Sequence, residues 1–368
     1  MSILIVYGSL YPWTFEARQF PANPLYILLP SWDANSLSRR LLLDVVLNIA
    51  VYIPLGGSAY LAMRGSKFQT WAALAAVAIG TLLSASVEMA QLFTPNRVCS
   101  AVDLVSNSLG SALGVLAGFV LKRISGTRGE LLGFHFRDRS ALALLLCWVS
   151  FLLFPLYPDL WLAALRAKFS AVIDPSGASF VLILLNAAEW FVAGRLLLAS
   201  GARSPLRWLL VLILLVPVQF AIVNHSPKAA NFLGAALAAV AFRYLGTRPG
   251  ADGWAATALL IALTLRGLAP FHFEGPPQAF SWVPFGGFLG SEWQNTISIL
   301  LGKLFQYGGS IWLLNRAGLG ASLATAIVIA ILSGIEILQT WTPGHVAEIT
   351  DPLLALLLCL GFHALGRR

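Results

Sequence analysis

The chain has 368 residues, 58% of them hydrophobic and only 11% charged, with 12 Trp, 22 Phe and a mean hydropathy of +0.78. A soluble domain carries about 25% charged residues, so an ordinary soluble enzyme, a disordered tail and a coiled coil are excluded. The net charge of +8 comes from cations scattered along the loops, without the basic stripe that nucleic acid needs. The class is an all-α, polytopic transmembrane bundle.

Apolar stretches of spanning length run the whole chain and are continuous, not alternating, so helices are expected and a barrel is not. They predict about 12 spans, over 2–15, 41–63, 70–93, 102–121, 141–157, 178–200, 206–223, 229–245, 253–271, 295–315, 319–341 and 351–366. The first stretch has no cation before it and no cleavage site, and reads as a helix that is retained. With the N-terminus inside, the cytoplasmic connections collect Arg64, Lys67, Lys122, Arg123, Arg203 and Arg248. Among the acids they take only Glu130, Asp138 and Asp252. That bias places both termini in the cytoplasm. Arg39 and Arg40 run against it, at the outer end of the second helix.

The chain also repeats itself. Leu10-Tyr11-Pro12-Trp13-Thr14-Phe15-Glu16 resembles Leu268-Ala269-Pro270-Phe271-His272-Phe273-Glu274. Gly56-Gly57-Ser58 recurs as Gly308-Gly309-Ser310, and Glu88-x-x-Gln91 as Glu336-x-x-Gln339. Asp103 and Asp351 follow at equal spacing. Residues 1–125 and 252–368 are therefore expected to be four-helix copies. The middle, 138–248, has the same helix count and a faded pattern in Asn186, Gln219 and Asn231. It is either a degenerate third copy or an unrelated spacer.

Ionisable and amide side chains in membrane helices face a bundle interior or a cavity, because lipid cannot solvate them. Asp44 and Asn48 are one turn apart on the second helix, Glu88 and Gln91 on the third, and Asp103 and Asn107 on the fourth. Arg97 hangs over them from a short turn. As catalytic candidates Glu88 and Asp103 would be general bases. Arg97, Gln91, Asn107, Asp44, Asn48, Arg39 and Arg40 would bind ligand. Glu336, Gln339 and Asp351 form the corresponding set in the last unit. Lys303 there either snorkels or pairs with Glu336. Glu189 is an acid in an apolar run with Arg195 as a possible partner. Gly110, Gly114 and Gly118 line one face of the fourth helix and let a neighbour approach closely. Cys99, Cys147 and Cys359 are far apart and odd in number, which suits neither a metal site nor a disulfide framework. No metal and no cofactor are expected.

The ordered run Asp44-x-x-x-Asn48, Pro54-x-Gly56, Glu88-x-x-Gln91, Arg97, Asp103-x-x-x-Asn107-x-x-Gly110 resembles the VanZ-like family of bacterial membrane proteins. The last unit matches partly, through Pro284-Phe285-Gly286, Glu336, Gln339 and Asp351. The resemblance implies a cytoplasmic-membrane protein in a cell-envelope context, with a link to low-level glycopeptide (teicoplanin) tolerance. Three functions remain open at this point. The outward cluster binds, modifies or shields an anionic lipid-linked envelope component. Or the bundle is a secondary transporter. Or it is a non-catalytic scaffold of an envelope or polysaccharide assembly. The partners expected are membrane lipids and a lipid-linked glycan or glycopeptide-related ligand, without nucleic acid.

Overall fold

In a computed structural model of the chain, residues 2–11, 13–16, 39–63, 71–95, 99–126, 138–155, 158–159, 161–174, 179–223, 225–273, 276–289 and 293–366 are described. Among them every long element is a helix, and two isolated bridges are the whole of the β-structure. The protein is an all-α, polytopic membrane protein. Its helices divide into two compact units, Met1–Gly129 and Glu130–Arg368. The expected middle and last units pack together within the second.

The N-terminal unit contains α1 (Ser2–Ser9), α2 (Arg39–Met63), α3 (Ala72–Gln91) and α4 (Ala101–Gly126). The first helix is shorter than the predicted 2–15: it stops at Ser9, the Leu10–Tyr11 turn follows, and Trp13 has φ 58. Such a left-handed residue cannot continue a right-handed helix. The packing of α2 on α4 is set by glycine. A Cβ on Gly114 would lie 2.1 Å from the Ile53 carbonyl oxygen and 2.7 Å from the Gly57 amide nitrogen. One on Gly110 would lie 2.4 Å from the Ile49 oxygen, and one on Gly56 2.1 Å from the Ser111 oxygen. The two backbones touch, so the expected stripe works by removing side chains from the contact.

The second unit contains α5 (Arg139–Leu153), α6 (Leu162–Ile173), α7 (Phe180–Ala199), α8 (Pro205–Ala221), α9 (Ala229–Leu245), α10 (Ala251–Leu268), α11 (Trp293–Leu314), α12 (Ala321–Gln339) and α13 (Thr350–Gly366). Asp138 caps α5 by accepting from the Ala141 amide, at 3.0 Å. The core lies where α5, α7 and α11 meet: Trp148 packs edge-on against Trp190, 4.5 Å between centroids, and at 5.6 Å against Phe305. Helix α6 was not expected. It has twelve residues and carries Arg166 and Lys168, too short and too polar for a search based on spanning length.

Among the described residues six helices are long and apolar enough to cross a membrane: the spans Asp44–Met63, Ala72–Gln91, Ala101–Val120, Phe180–Ala199, Thr296–Leu319 and Ala321–Gln339. Arg139–Leu153, Pro205–Ala221, Ala229–Leu245 and Thr350–His363 are apolar but shorter. Large apolar side chains face outward along these helices, such as Leu74, Leu82, Leu237 and Val240. In water that exposure would be a liability; in acyl chains it is the expected surface.

Candidate functional site

In the N-terminal unit the predicted polar residues gather at the end of the bundle that carries the α3–α4 connector. Each takes its own partner. The Asn48 amide donates to Asp103 Oδ1 at 2.9 Å, joining α2 to the first turn of α4. Glu88, buried, accepts the Ser100 amide at 2.8 Å through Oε2. That carboxylate therefore satisfies a backbone donor just before α4, where the helix dipole also favours negative charge. Gln91 donates to the Ser9 carbonyl at 2.9 Å, and Asn107 to Ser84 Oγ at 2.9 Å. Asp44 stays out of the cluster and is exposed. Asp103 is already in the first turn of α4, so one turn further along α2 there is no α4 residue to face. The side chains of Arg39 and Arg40, and all of Arg97, lie outside the described residues.

Cys99 sits in the same connector, and its thiol donates to the Glu88 carbonyl at 2.9 Å. Burial, with the Glu88 charge adding to it, pushes that thiol up to about 11. A maleimide reacts with thiolate. In the folded protein Cys99 is therefore expected to stay unmodified at pH 8 and to label only after unfolding, as peptide mass spectrometry would read. Fast labelling of native Cys99 at pH 8 would contradict the geometry.

The second unit holds a cavity of about 330 Å³ between α10, α11, α12 and the α12–α13 connector. Lys303, Glu336, Gln339 and Asp351, the predicted second set, all line it. Their pairing differs from the expectation. Lys303 Nζ bonds Asp351 Oδ1 at 2.5 Å, not Glu336, and Tyr307 donates to Asp351 Oδ2 at 2.5 Å. Lys303 and Tyr307 are one turn apart on α11 and both face the first turn of α13, where Asp351 stands. Glu336 instead accepts the Glu348 amide at 2.8 Å. Gln339 donates to the Gly267 carbonyl at 2.8 Å.

Three further residues outside the expected site set line the cavity. Glu348 is buried, and its carboxylate meets the Gly287 amide at a long 3.4 Å. His345 has a buried Nδ1 with no hydrogen-bond partner among the described residues. Arg266, one turn from the end of α10, lines the cavity and makes no hydrogen bond or ion pair among the described residues; Glu189 and Tyr307 lie within reach of its charge. One signal was available for Arg266. It is a cation at a helix end that the charge rule assigns to the outside, where the first unit has Gly8 at the corresponding position.

Elsewhere in this unit the buried cations Lys168 and Arg195 are each paired with an aspartate. Arg195 bonds Asp252 at 2.7 Å and also the Gly246 carbonyl, and Arg316 bonds the other Asp252 oxygen at 3.2 Å. This corrects the expected Glu189–Arg195 pair. Glu189 is bonded by Gln306 at 2.5 Å, and Gln306 reaches the cavity wall. Asp252 and Arg266 stand at opposite ends of α10, about 21 Å apart at 1.5 Å per residue. The Arg–Asp–Arg cluster is thus remote from the cavity.

One bond occurs three times. Gln91, Gln219 and Gln339 each stand at or near the end of a third helix. Each donates to a carbonyl near the end of a first helix, at Ser9, Leu152 and Gly267 respectively. Each of those acceptors lies three residues before a proline, Pro12, Pro155 or Pro270. Asn231 bonds Asn186 at 3.0 Å much as Asn48 bonds Asp103. Trp13 and Phe271, aligned in the sequence, both have positive φ. The Pro284-Phe285-Gly286 match does not survive: Pro284 precedes α11, whereas Pro54 lies within α2.

These features define a helical, multi-pass membrane protein with buried polar clusters in each unit. Residues 1–122 match the VanZ/LLP1 family model, so the N-terminal unit, about a third of the chain, is VanZ-like. No curated protein and no solved structure matches the chain.

Proposed function

We propose that this VanZ-like membrane protein binds the anionic headgroup of a lipid-linked cell-envelope component in the α10–α13 cavity. The observation that carries the reading is Arg266. A guanidinium that lines a cavity and makes no ion pair among the described residues is a fork for phosphate or carboxylate. Lys303 cannot serve in the same way while it neutralises Asp351. Glu88 and Glu336 each accept a backbone amide through one oxygen, which suits a structural role for those two acids.

In this reading the protein lies in the bacterial cytoplasmic membrane with both termini inside, and the cavity faces out, as the loop cations favour. Residues 1–125, 138–248 and 252–368 are three diverged copies of one four-helix unit. The recurring glutamine and helix-2 to helix-4 bonds support this. The first copy uses its polar groups in internal bonds; the third keeps those bonds and adds Arg266 and Glu348 around a cavity. An envelope ligand fits the glycopeptide-tolerance context that the resemblance implies.

The test is retention of phosphatidylglycerol by the purified full-length protein in native mass spectrometry. Arg266→Ala is expected to weaken retention by roughly tenfold or more, the scale of one charge-assisted contact, and Arg266→Lys by less. Equal retention by wild type and Arg266→Ala would overturn the reading. Glu189 favours a secondary transporter as a second reading, since it is an acid near the middle of α7 joined to the cavity wall through Gln306. Proton-dependent uptake into proteoliposomes, lost in Glu189→Gln, would support that reading over simple binding.

A further inference from the structure

We infer that the cavity ligand is a zwitterion, a phosphate and a primary ammonium on one lipid headgroup, as in phosphatidylethanolamine. The inference rests on the binding reading above: it keeps the Arg266–phosphate contact and replaces the net-anionic headgroup with one that also carries an ammonium. It comes from the charges left over once the internal bonds are assigned. Lys303 and Asp351 neutralise each other, with Tyr307 on the second carboxylate oxygen. Among the described residues that leaves Arg266 as the cation and Glu348 as the carboxylate around the same space, since Glu336 already accepts the Glu348 amide.

Glu348 is the telling residue. It is only 8% exposed, yet among the described residues its carboxylate has one contact, the 3.4 Å approach of the Gly287 amide. A buried carboxylate needs stronger compensation than that. A purely anionic headgroup would satisfy Arg266 but bring a second negative charge towards Glu348. A headgroup with a phosphate and an ammonium separated by a short linker meets both signs. The ammonium supplies N–H donors to the Glu348 carboxylate, and the phosphate takes the guanidinium.

The mouth favours an amphiphile. Ile299, 51% exposed, and Val346, 71% exposed, line the cavity alongside its charged wall. Acyl chains can lie against that apolar edge while the headgroup enters. Free O-phosphoethanolamine carries the same two charges without the chains, so it separates a lipid ligand from a soluble one.

The experiment is native mass spectrometry of the full-length protein with phosphatidylethanolamine, phosphatidylglycerol and phosphatidylcholine of identical chains. Wild type is expected to retain phosphatidylethanolamine over both others by about tenfold, because only it offers phosphate and N–H donors together. Glu348→Gln should erase that preference while keeping phosphatidylglycerol. Arg266→Ala should weaken all three. Free O-phosphoethanolamine at equal concentration should not compete.

Preference for phosphatidylglycerol, still dependent on Arg266, would overturn the zwitterion and leave the anionic reading standing. Loss of Arg266 dependence for every lipid would overturn both. Full competition by O-phosphoethanolamine would overturn the lipid assignment. The wild-type comparison among three lipids needs no variant, so a Glu348→Gln protein that failed to fold would leave the inference open to refutation.

Discussion

A Gly114→Leu protein will not assemble its N-terminal unit. The new side chain begins 2.1 Å from the Ile53 carbonyl oxygen and 2.7 Å from the Gly57 nitrogen, and both are backbone atoms inside α2. No rotamer relieves such a contact; α2 and α4 must separate. Overpacking in a core that can adjust costs roughly 1–3 kcal/mol. Here the loss should be at or above that upper end. Separation also breaks the Asn48–Asp103 bond and the approach at Gly110. The measurement is the yield and thermal midpoint of detergent-purified protein by fluorescence-detected size exclusion. Gly334→Ala is the control, because a Cβ there meets nothing within 4 Å. Gly334→Ala should behave as wild type. A Gly114→Leu protein of normal midpoint would show that the α2–α4 contact is not the one described.

Lys303→Met will be nearly as damaging, for an electrostatic reason. Asp351 is buried, and its two oxygens are held by Lys303 and Tyr307. Removing the ammonium leaves a carboxylate with a single neutral donor, and stranding one member of a buried pair costs about 3–5 kcal/mol. Adding Asp351→Asn removes the stranded charge and leaves an oxygen to accept from Tyr307. The double variant should therefore recover most of the loss, with a thermal midpoint well above that of Lys303→Met alone. No recovery would mean that Lys303 contributes by packing, for instance over the Phe288 ring at 5.3 Å, and not by neutralising Asp351.

The helices were legible because length and hydropathy alone select a membrane span, and both are sums over many residues. Helix α6 was missed because neither sum applies to a twelve-residue segment with two cations. The candidate clusters were legible as residue types, since an amide or an acid in an apolar run has few places to go. Their pairings were not. Lys303 takes Asp351 over Glu336 because α11 presents it to the first turn of α13, and nothing in local spacing encodes which helix is the neighbour. Asp44 shares a helix face with Asn48, but its exposure depends on where α4 begins. Arg266 and Glu348 escaped notice for a related reason. They lie outside the repeated pattern, and a departure from a repeat carries no meaning until the cavity brings the two together.

The most direct test of the ligand reading is a cryo-electron microscopy map of the full-length protein in nanodiscs made from bacterial lipid extract. The account predicts headgroup density inside the α10–α13 cavity, within hydrogen-bonding distance of the Arg266 guanidinium, and acyl-chain density running past Ile299 and Val346. A map in which Arg266 closes onto Glu336 or Glu348, with no lipid between them, would contradict it.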